Sequence, residues 1–241
     1  MSGDREWRRR LGLVVPSSNT TAEIEFRRHA PEGTSIHAGR MALESVTVDE
    51  LDAMSAGATR AGELLGHADV DAVAYVCTTG SLLHGPGFDA ELEDTLSEAA
   101  GAPAVATARS VVRALEALEA ERIAVVTPYT EDLDEKERDF LEAAGFEVVT
   151  IDGRGIEANT EIGALEPGDA FGQVLDVVEG GPAVDAVFVS CTNYRSMAAI
   201  ERLEADLGVP VITSNGATLW DVCRVAGLEV DGPGALFALE R

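Results

Sequence analysis

The second half of the chain repeats the pattern of the first half. Four short segments recur in the same order: 10–16 as 122–128, 33–37 as 145–149, 71–78 as 185–192, and 101–107 as 208–214. The clearest pair is DAVAYVCT against DAVFVSCT. Four collinear matches at a nearly constant displacement indicate an internal duplication, so the fold must contain two similar units.

Each repeated segment is a short, β-branched apolar run bounded by Gly, Pro or polar residues, which is typical of a buried strand. Segments with helical character separate these runs: 20–29, 48–66, 89–100, 110–119, 133–144, 169–179, 196–206 and 219–225. Strands that alternate with helices predict parallel sheets covered on both faces. We predict an α/β fold of two pseudo-symmetric doubly wound lobes, each with a mostly parallel four-stranded sheet, and an active site between them.

The boundaries between the lobes follow from the duplication. We expect residues 1–117 and 216–241 to form the N-terminal lobe, and residues 118–215 to form the C-terminal lobe. The helix near 217–225 and a last strand near 235–239 are expected to return to the first lobe.

The charge balance excludes some partners. The chain has 43 Asp and Glu against 18 Lys and Arg, a net charge of −25, and such a field repels nucleic acid and anionic membranes. Neither a long apolar span nor a secretory signal pattern is found, so we expect a cytoplasmic protein. The acidity favours a halophilic host, because salt screens self-repulsion; the alternative is an ordinary acidic enzyme.

Two of the three cysteines occupy matching positions, at the ends of duplicated strands. Open parallel sheets bind ligands at these carboxyl ends, so we expect Cys77 and Cys191 to face one cleft. Backbone N–H groups and a helix dipole there are expected to lower a thiol pKa. Two opposed thiols can attack a bound carbon or exchange its proton. Without CxxC or metal-ligand spacing, we expect neither a metal nor an organic cofactor.

Polar residues at the same strand ends are candidates for binding a carboxylate: Thr78, Thr79, Ser81, Thr192 and Asn193. Tyr129 occupies the position that matches Ser17, so we expect it to line the cleft. Asn19 either caps the first helix or directs its amide at a carboxylate. Arg195 either binds a substrate carboxylate or forms a solvent-facing ion pair. His84 lies in a Gly- and Pro-rich stretch that is either a mobile cover or a turn.

Several of these residues carry a family resemblance. Residues 13–25 (LVVPSSNTTAEIE) resemble the opening signature of maleate cis–trans isomerases. Residues 126–129 (VTPY), 155–163 (GIEANTEIG) and both cysteine loops are similar to later blocks of these enzymes. The resemblance spans about residues 10–226. It extends to arylmalonate decarboxylases and to the cofactor-independent aspartate/glutamate racemase superfamily, which has the two-lobed fold predicted above.

The resemblance implies a role for each matching residue. Cys77 would add to the double bond of maleate, rotation would follow, and elimination would release fumarate, while Cys191 protects the site or exchanges a proton. The substrate would be a small carboxylate or dicarboxylate, no cofactor would be needed, and a homodimer would be expected. The two carboxylates would be held by Asn19, Tyr129 and Asn159, with the loops at Thr78 and Thr192.

The related enzymes differ in which of the two cysteines they keep. Arylmalonate decarboxylases resemble this chain but keep only the second cysteine, so Cys77 favours isomerisation or racemisation. Residues 191–196 (CTNYRS) and 211–220 (VITSNGATLW) resemble racemase-like members instead. Maleate-to-fumarate isomerisation is the leading hypothesis. The alternatives are an aspartate/glutamate-type or hydantoin-type racemase, an arylmalonate decarboxylase-like enzyme, and a non-catalytic ligand-binding protein.

Overall fold

The computed structural model describes residues 9–55 and 57–239 of the chain. Eight strands alternate with the helices: β1 Arg9–Pro16, β2 Thr34–Met41, β3 Ala72–Tyr75, β4 Ala104–Ala106, β5 Arg122–Thr127, β6 Glu147–Gly153, β7 Ala186–Val189 and β8 Val211–Thr213. The helices are α1 Ala22–His29, α2 Val48–Ser55, α3 Ala58–Gly66, α4 Thr78–Leu82, α5 Phe88–Ala100, α6 Thr107–Ala117, α7 Glu131–Ala143, α8 Asn159–Ala164, α9 Pro167–Val178, α10 Ile200–Leu207, α11 Ser214–Val225 and α12 Ala235–Ala238, with a 3-10 turn at Met197–Ala199.

The strands form two four-stranded sheets with equivalent topology. Their orders are β2-β1-β3-β4 and β6-β5-β7-β8, and every pairing is parallel. Corresponding strands pair in the same way: Leu11 of β1 lies opposite Ala72 of β3, and Ile123 of β5 lies opposite Ala186 of β7. The predicted α/β fold with two duplicated, four-stranded lobes is confirmed.

The central strands are buried on both faces because helices cover each sheet. All four residues of β3 (AVAY) and all four of β7 (AVFV) are buried, as expected for parallel strands with continuous apolar sequence. This burial places both strand ends, and the cysteines that follow them, deep in the molecule.

Helix α11 reaches across from the second sheet to the first. It begins directly after β8 and packs against α6, β3 and β4. The buried Asp221 of α11 accepts hydrogen bonds from Arg113 (2.7 Å) and Ser110 (2.9 Å) of α6. The C-terminal part of the chain therefore links the two lobes through both apolar and ionic contacts.

Two predictions of secondary structure are wrong. The helix expected over 48–66 is two helices, and weak helix formers, Ser55 and Gly57, stand at the break. The strand expected near 235–239 is the helix α12, which packs against α11 and β8. Glu204 accepts the backbone N–H of Ala235 (3.0 Å) and so satisfies a free donor at the start of this helix.

Within the described residues, no helix is long and apolar enough to cross a membrane.

Candidate active site

One cavity lies where the carboxyl ends of the two sheets meet. It is nearly filled, with a volume of about 10 Å³, and the residues around it are Pro16, Asn19, Leu43, Val46, Cys77, Thr78, Thr79, Tyr129, Asn159, Cys191 and Thr192. Wider grooves lie on the surface, but the described residues that line them include no cysteine. The cavity therefore brings together both thiols and every other predicted site residue except Ser81 and Asn193.

Cys77 stands between β3 and α4, with an extended backbone. Its side chain is about 5% exposed, its Sγ lies 3.9 Å from Thr79 Oγ1, and the backbone N–H of Gly80 donates to it. Burial raises the pKa of the Cys77 thiol to about 11, although both hydrogen bonds lower it. The expectation of a lowered pKa is wrong because desolvation outweighs the N–H groups of a helix that has only five residues.

Cys191 follows β7 and has the same degree of burial. Its backbone φ is +86°, a region that residues other than glycine rarely occupy. The Sγ accepts the backbone N–H of Asn193 (3.4 Å) and is hydrogen-bonded to Tyr129. Burial raises the pKa of the Cys191 thiol to about 12, and a charge on Cys77 raises it further. The two thiols therefore oppose each other's ionisation, and one thiolate at a time is favoured.

Tyr129 presents a neutral hydroxyl to the thiols. The side chain is about 2% exposed, and burial raises its pKa well above the ordinary value, as do the charges of Cys191 and Glu137. Its backbone N–H donates to Thr127 Oγ1 (3.0 Å), which fixes the turn after β5. The phenol is thus a hydrogen-bond donor at any physiological pH.

Asn19 satisfies donors at the start of α1 and turns its amide nitrogen towards the cavity. Its Oδ1 accepts the backbone N–H groups of Thr21 and Ala22, each at 3.0 Å, at the start of α1. Its Nδ2 donates to Thr192 Oγ1 (3.1 Å) inside the cavity, and Thr192 Oγ1 in turn donates to Val76 O (3.2 Å). Asn19 therefore caps the helix while its amide nitrogen faces the site.

Asn193 joins the lobes but does not line the cavity. Its Oδ1 accepts the backbone N–H of Thr20 (2.9 Å), and its Nδ2 donates to both oxygens of Asn159 (2.6 and 3.1 Å). Asn159 then donates to Ser18 Oγ (2.8 Å). This chain of amides crosses from α1 to α8 and holds Asn159 at the cavity wall.

The loop after β2 covers the cavity, and the sequence reasoning missed it. Leu43 and Val46 lie in this loop and supply apolar wall. Its backbone pairs with the segment before α8: Val46 N donates to Glu157 O (2.7 Å), and Asn159 N donates to Glu44 O (3.2 Å). Since β2 is parallel to β1, the rule that drew attention to the other strand ends could also have identified this one.

Arg195 and His84 lie outside the cavity. Arg195 forms an exposed ion pair with Glu166 (3.2 Å), and His84 pairs with Asp52 (3.0 Å) and stacks edge-on against Phe88. Cys223 is fully buried in α11. No cluster of potential metal ligands occurs among the described residues. The polar lining of the cavity is therefore made of thiols, hydroxyls and amides without a cation.

Comparison with known proteins assigns this chain to a family. The model of the arylmalonate decarboxylase family matches residues 11–237. The maleate isomerase of Nocardia farcinica is 36% identical over 242 residues, with 94% of each chain covered. The chain belongs to the maleate isomerase and arylmalonate decarboxylase family. Its place in the aspartate/glutamate racemase superfamily is likewise confirmed.

Solved structures of the family have the same fold. A maleate isomerase variant from Pseudomonas putida S16, with maleate, has a TM-score of 0.90 at 30% identity, covering 95% of this chain and 97% of that one. A maleate cis–trans isomerase variant from Nocardia farcinica has a TM-score of 0.89 at 31% identity, covering 95% and 98%. That variant contains a covalently bound succinylcysteine intermediate.

Proposed function

We propose that this chain is a cofactor-independent cis–trans isomerase that converts maleate to fumarate. The observation that carries the proposal is the pair of buried thiols on one cavity, whose lining, within the described part of the chain, has no cationic side chain. Family relatives named maleate isomerases, at 29 to 36% identity over nearly the whole chain, support the same substrate. A thiol on each side of a bound carbon serves addition and proton transfer without a metal.

In the proposed reaction, the Cys77 thiolate forms a C–S bond with one alkene carbon, and the Cys191 S–H gives its proton to the other. The C–C bond is then single and rotates. The Cys191 thiolate takes a proton back as the C–S bond breaks, so fumarate leaves and both sulfurs return to their starting states. The Cys77 thiol has the lower pKa of the two, and its charge raises the pKa of Cys191, so Cys77 reacts as the anion while Cys191 remains a thiol.

The carboxylates are bound by neutral donors in this proposal. Tyr129 and the side-chain amides of Asn19 and Asn159 line the cavity, together with the hydroxyls of Thr78 and Thr192. In a site with little water, such donors are stronger than in solution. Asn193 acts indirectly, because its amide is committed to Asn159 and to the backbone of α1.

The test is turnover of maleate followed by NMR in deuterated water, with the wild type, Cys77→Ser and Cys223→Ser as a matched thiol control. We expect wild type and Cys223→Ser to form fumarate and Cys77→Ser to be inactive but folded by circular dichroism. Cys191→Ala should accumulate a maleate adduct on Cys77, detected by intact mass. Full activity of Cys77→Ser would refute its role as nucleophile.

A racemase is the second candidate, since opposed thiols on one cavity can also invert a carbon next to a carboxylate. Aspartate, glutamate, a hydantoin and an arylmalonate in the same deuterated panel separate these reactions, because racemisation exchanges the α-hydrogen in every turnover. Repeating the panel from low to molar salt tests salt adaptation, and light scattering tests the proposed homodimer. Cytoplasmic location stays a prediction.

A further inference from the structure

A buried carboxyl group lies behind the Cys191 side of the cavity. Glu137, on α7, has no exposed surface. Its Oε1 accepts a hydrogen bond from Ser190 Oγ (2.7 Å), and its Oε2 has no hydrogen-bond partner among the described residues. Ser190 is the residue before Cys191. A carboxylate this deep, with one oxygen unpaired, costs more free energy than a surface carboxylate and needs a physical account.

The groups that face Glu137 leave it uncharged. Asp134, one turn earlier on α7, is acidic, and Tyr129, after β5, carries a phenol. Helix α4 packs against α7 and has only threonine, glycine, serine and leucine. Of the two acids of β6, Glu147 pairs with Arg122 and Asp152 acts on Asp134. Burial raises the pKa of Glu137 to about 8; the Ser190 hydrogen bond lowers it and Asp134 raises it. Among the described residues, no cationic side chain is one of the groups that shift this pKa.

Glu137 acts on the site along two routes. The hydrogen bond to Ser190 fixes the residue that leads into Cys191, whose φ of +86° has to be held by its surroundings. Electrostatically, a charge on Glu137 raises the pKa of Tyr129, which is the hydrogen-bond partner of the Cys191 thiol. An ionised Glu137 therefore disfavours negative charge on the Tyr129–Cys191 pair.

We propose that Glu137 is a positioning residue of the active site, an uncharged carboxyl that holds Ser190 and keeps the Tyr129–Cys191 pair able to accept and return a proton. When Glu137 loses its proton, the Cys191 thiolate that must form during each turnover is opposed by a second buried charge. This inference rests on the proposed isomerase function only for its link to turnover. Its effect on the Cys191 thiol is independent of the substrate.

The first experiment measures alkylation of Cys191 by iodoacetamide from pH 7 to 10, resolved from Cys77 and Cys223 by peptide mass spectrometry. Glu137→Gln keeps the shape and removes the charge, and Glu135→Gln is the matched control on the exposed face of α7. At pH 9 we expect Cys191 to react several-fold faster in Glu137→Gln, since each unit of thiol pKa is about tenfold in thiolate. Equal rates in wild type and Glu137→Gln would overturn the proposal.

The second experiment follows kcat/KM for maleate over the same pH range. Wild type and Glu135→Gln should lose activity through about pH 8, the pKa of Glu137, while Glu137→Gln should keep it about one unit further. If the wild type does not turn over maleate but the alkylation difference is found, the proposed function fails and the role of Glu137 stands. If kcat/KM falls at the same pH in Glu137→Gln as in the wild type, that role is contradicted.

Ser190→Ala keeps the experiment decisive if Glu137→Gln does not fold. Without the hydroxyl, the carboxyl loses the hydrogen bond that lowers its pKa. Both the alkaline activity limb and the inflection in Cys191 alkylation should therefore move to higher pH. An inflection that stays in place in Ser190→Ala would show that Glu137 is not its source.

Discussion

A second buried acid, Glu25, makes the stability of the protein depend on pH in a way that one substitution isolates. Glu25 is about 6% exposed on α1. Its carboxylate accepts the Nδ2 group of Asn215 (2.6 Å) and the backbone N–H of Met197 (3.2 Å). Burial is the largest influence and raises its pKa from the ordinary 4.5 to about 7, despite these hydrogen bonds.

The magnitude follows from proton linkage. Below pH 4.5, Glu25 is protonated in both the folded and the unfolded chain, so it does not make the free energy of unfolding depend on pH. Between pH 4.5 and about 7, the unfolded chain releases this proton while the folded chain keeps it, and the free energy of unfolding falls as pH rises. Above about pH 7 both states have lost this proton, so the free energy of unfolding no longer changes with pH on account of Glu25. At 1.36 kcal/mol for each pKa unit, the total loss is on the order of 3 kcal/mol.

Glu25→Gln should not show this loss. Urea unfolding of wild type, Glu25→Gln and the exposed control Glu32→Gln, at one high salt concentration from pH 4.5 to 8.5, gives the difference in unfolding free energy. Loss of one acceptor gives Glu25→Gln a constant offset of about 1 kcal/mol. We expect its stability relative to wild type to rise by about 3 kcal/mol between pH 4.5 and 7.5. A difference that is the same at every pH refutes the reasoning.

Three further substitutions test the packing and polarity of the site. In Gly80→Ala the new Cβ would lie 3.1 Å from Cys77 Sγ and 2.8 Å from a tyrosine hydroxyl, so we expect a stability loss of about 1–3 kcal/mol and lower kcat. In Gly163→Ala the new Cβ would lie 2.9 Å from Asn193 Nδ2, so KM should rise as the amide chain shifts; an unchanged KM contradicts this. Tyr129→Phe should lower kcat about 10–100-fold, because the thiolate loses a hydrogen-bond donor. Steady-state kinetics measures kcat and KM for all three variants.

The duplication made the fold predictable, because it indicated the number of strands, their alternation with helices and the equivalent strand ends of the two lobes. Hydrophobic periodicity gave wrong predictions for the shortest segments. The four apolar residues 235–238 fit a strand and a helix equally well. In the structure Glu204, about 30 residues away in sequence, accepts the Ala235 N–H at the start of the helix, a contact that local sequence does not reveal. The five-residue helix α4 was missed for the same reason.

The site was predictable as a set of residues but not as an arrangement. Strand-end logic brought Cys77 and Cys191 to one cavity, yet thiol ionisation depends on depth, which a sequence does not report. Asn193 looked equivalent to Thr192, but its amide is committed to Asn159. Glu137 lies in a run that otherwise has the pattern of a charged, solvated helix face, and its burial and its hydrogen bond to Ser190, just after β7, distinguish it.

The backbone pairing that covers the cavity also limits how fast any ligand can enter it. Two hydrogen bonds, Val46–Glu157 and Asn159–Glu44, join the covering loop to the segment before α8. Separating them costs about 1–3 kcal/mol, since each is worth about 0.5–1.5 kcal/mol net. The open form then makes up about 0.6–16% of the molecules. A ligand that enters only through the open form associates about 6- to 160-fold more slowly than it would with an uncovered cavity. A substitution that weakens only this pairing should therefore speed association.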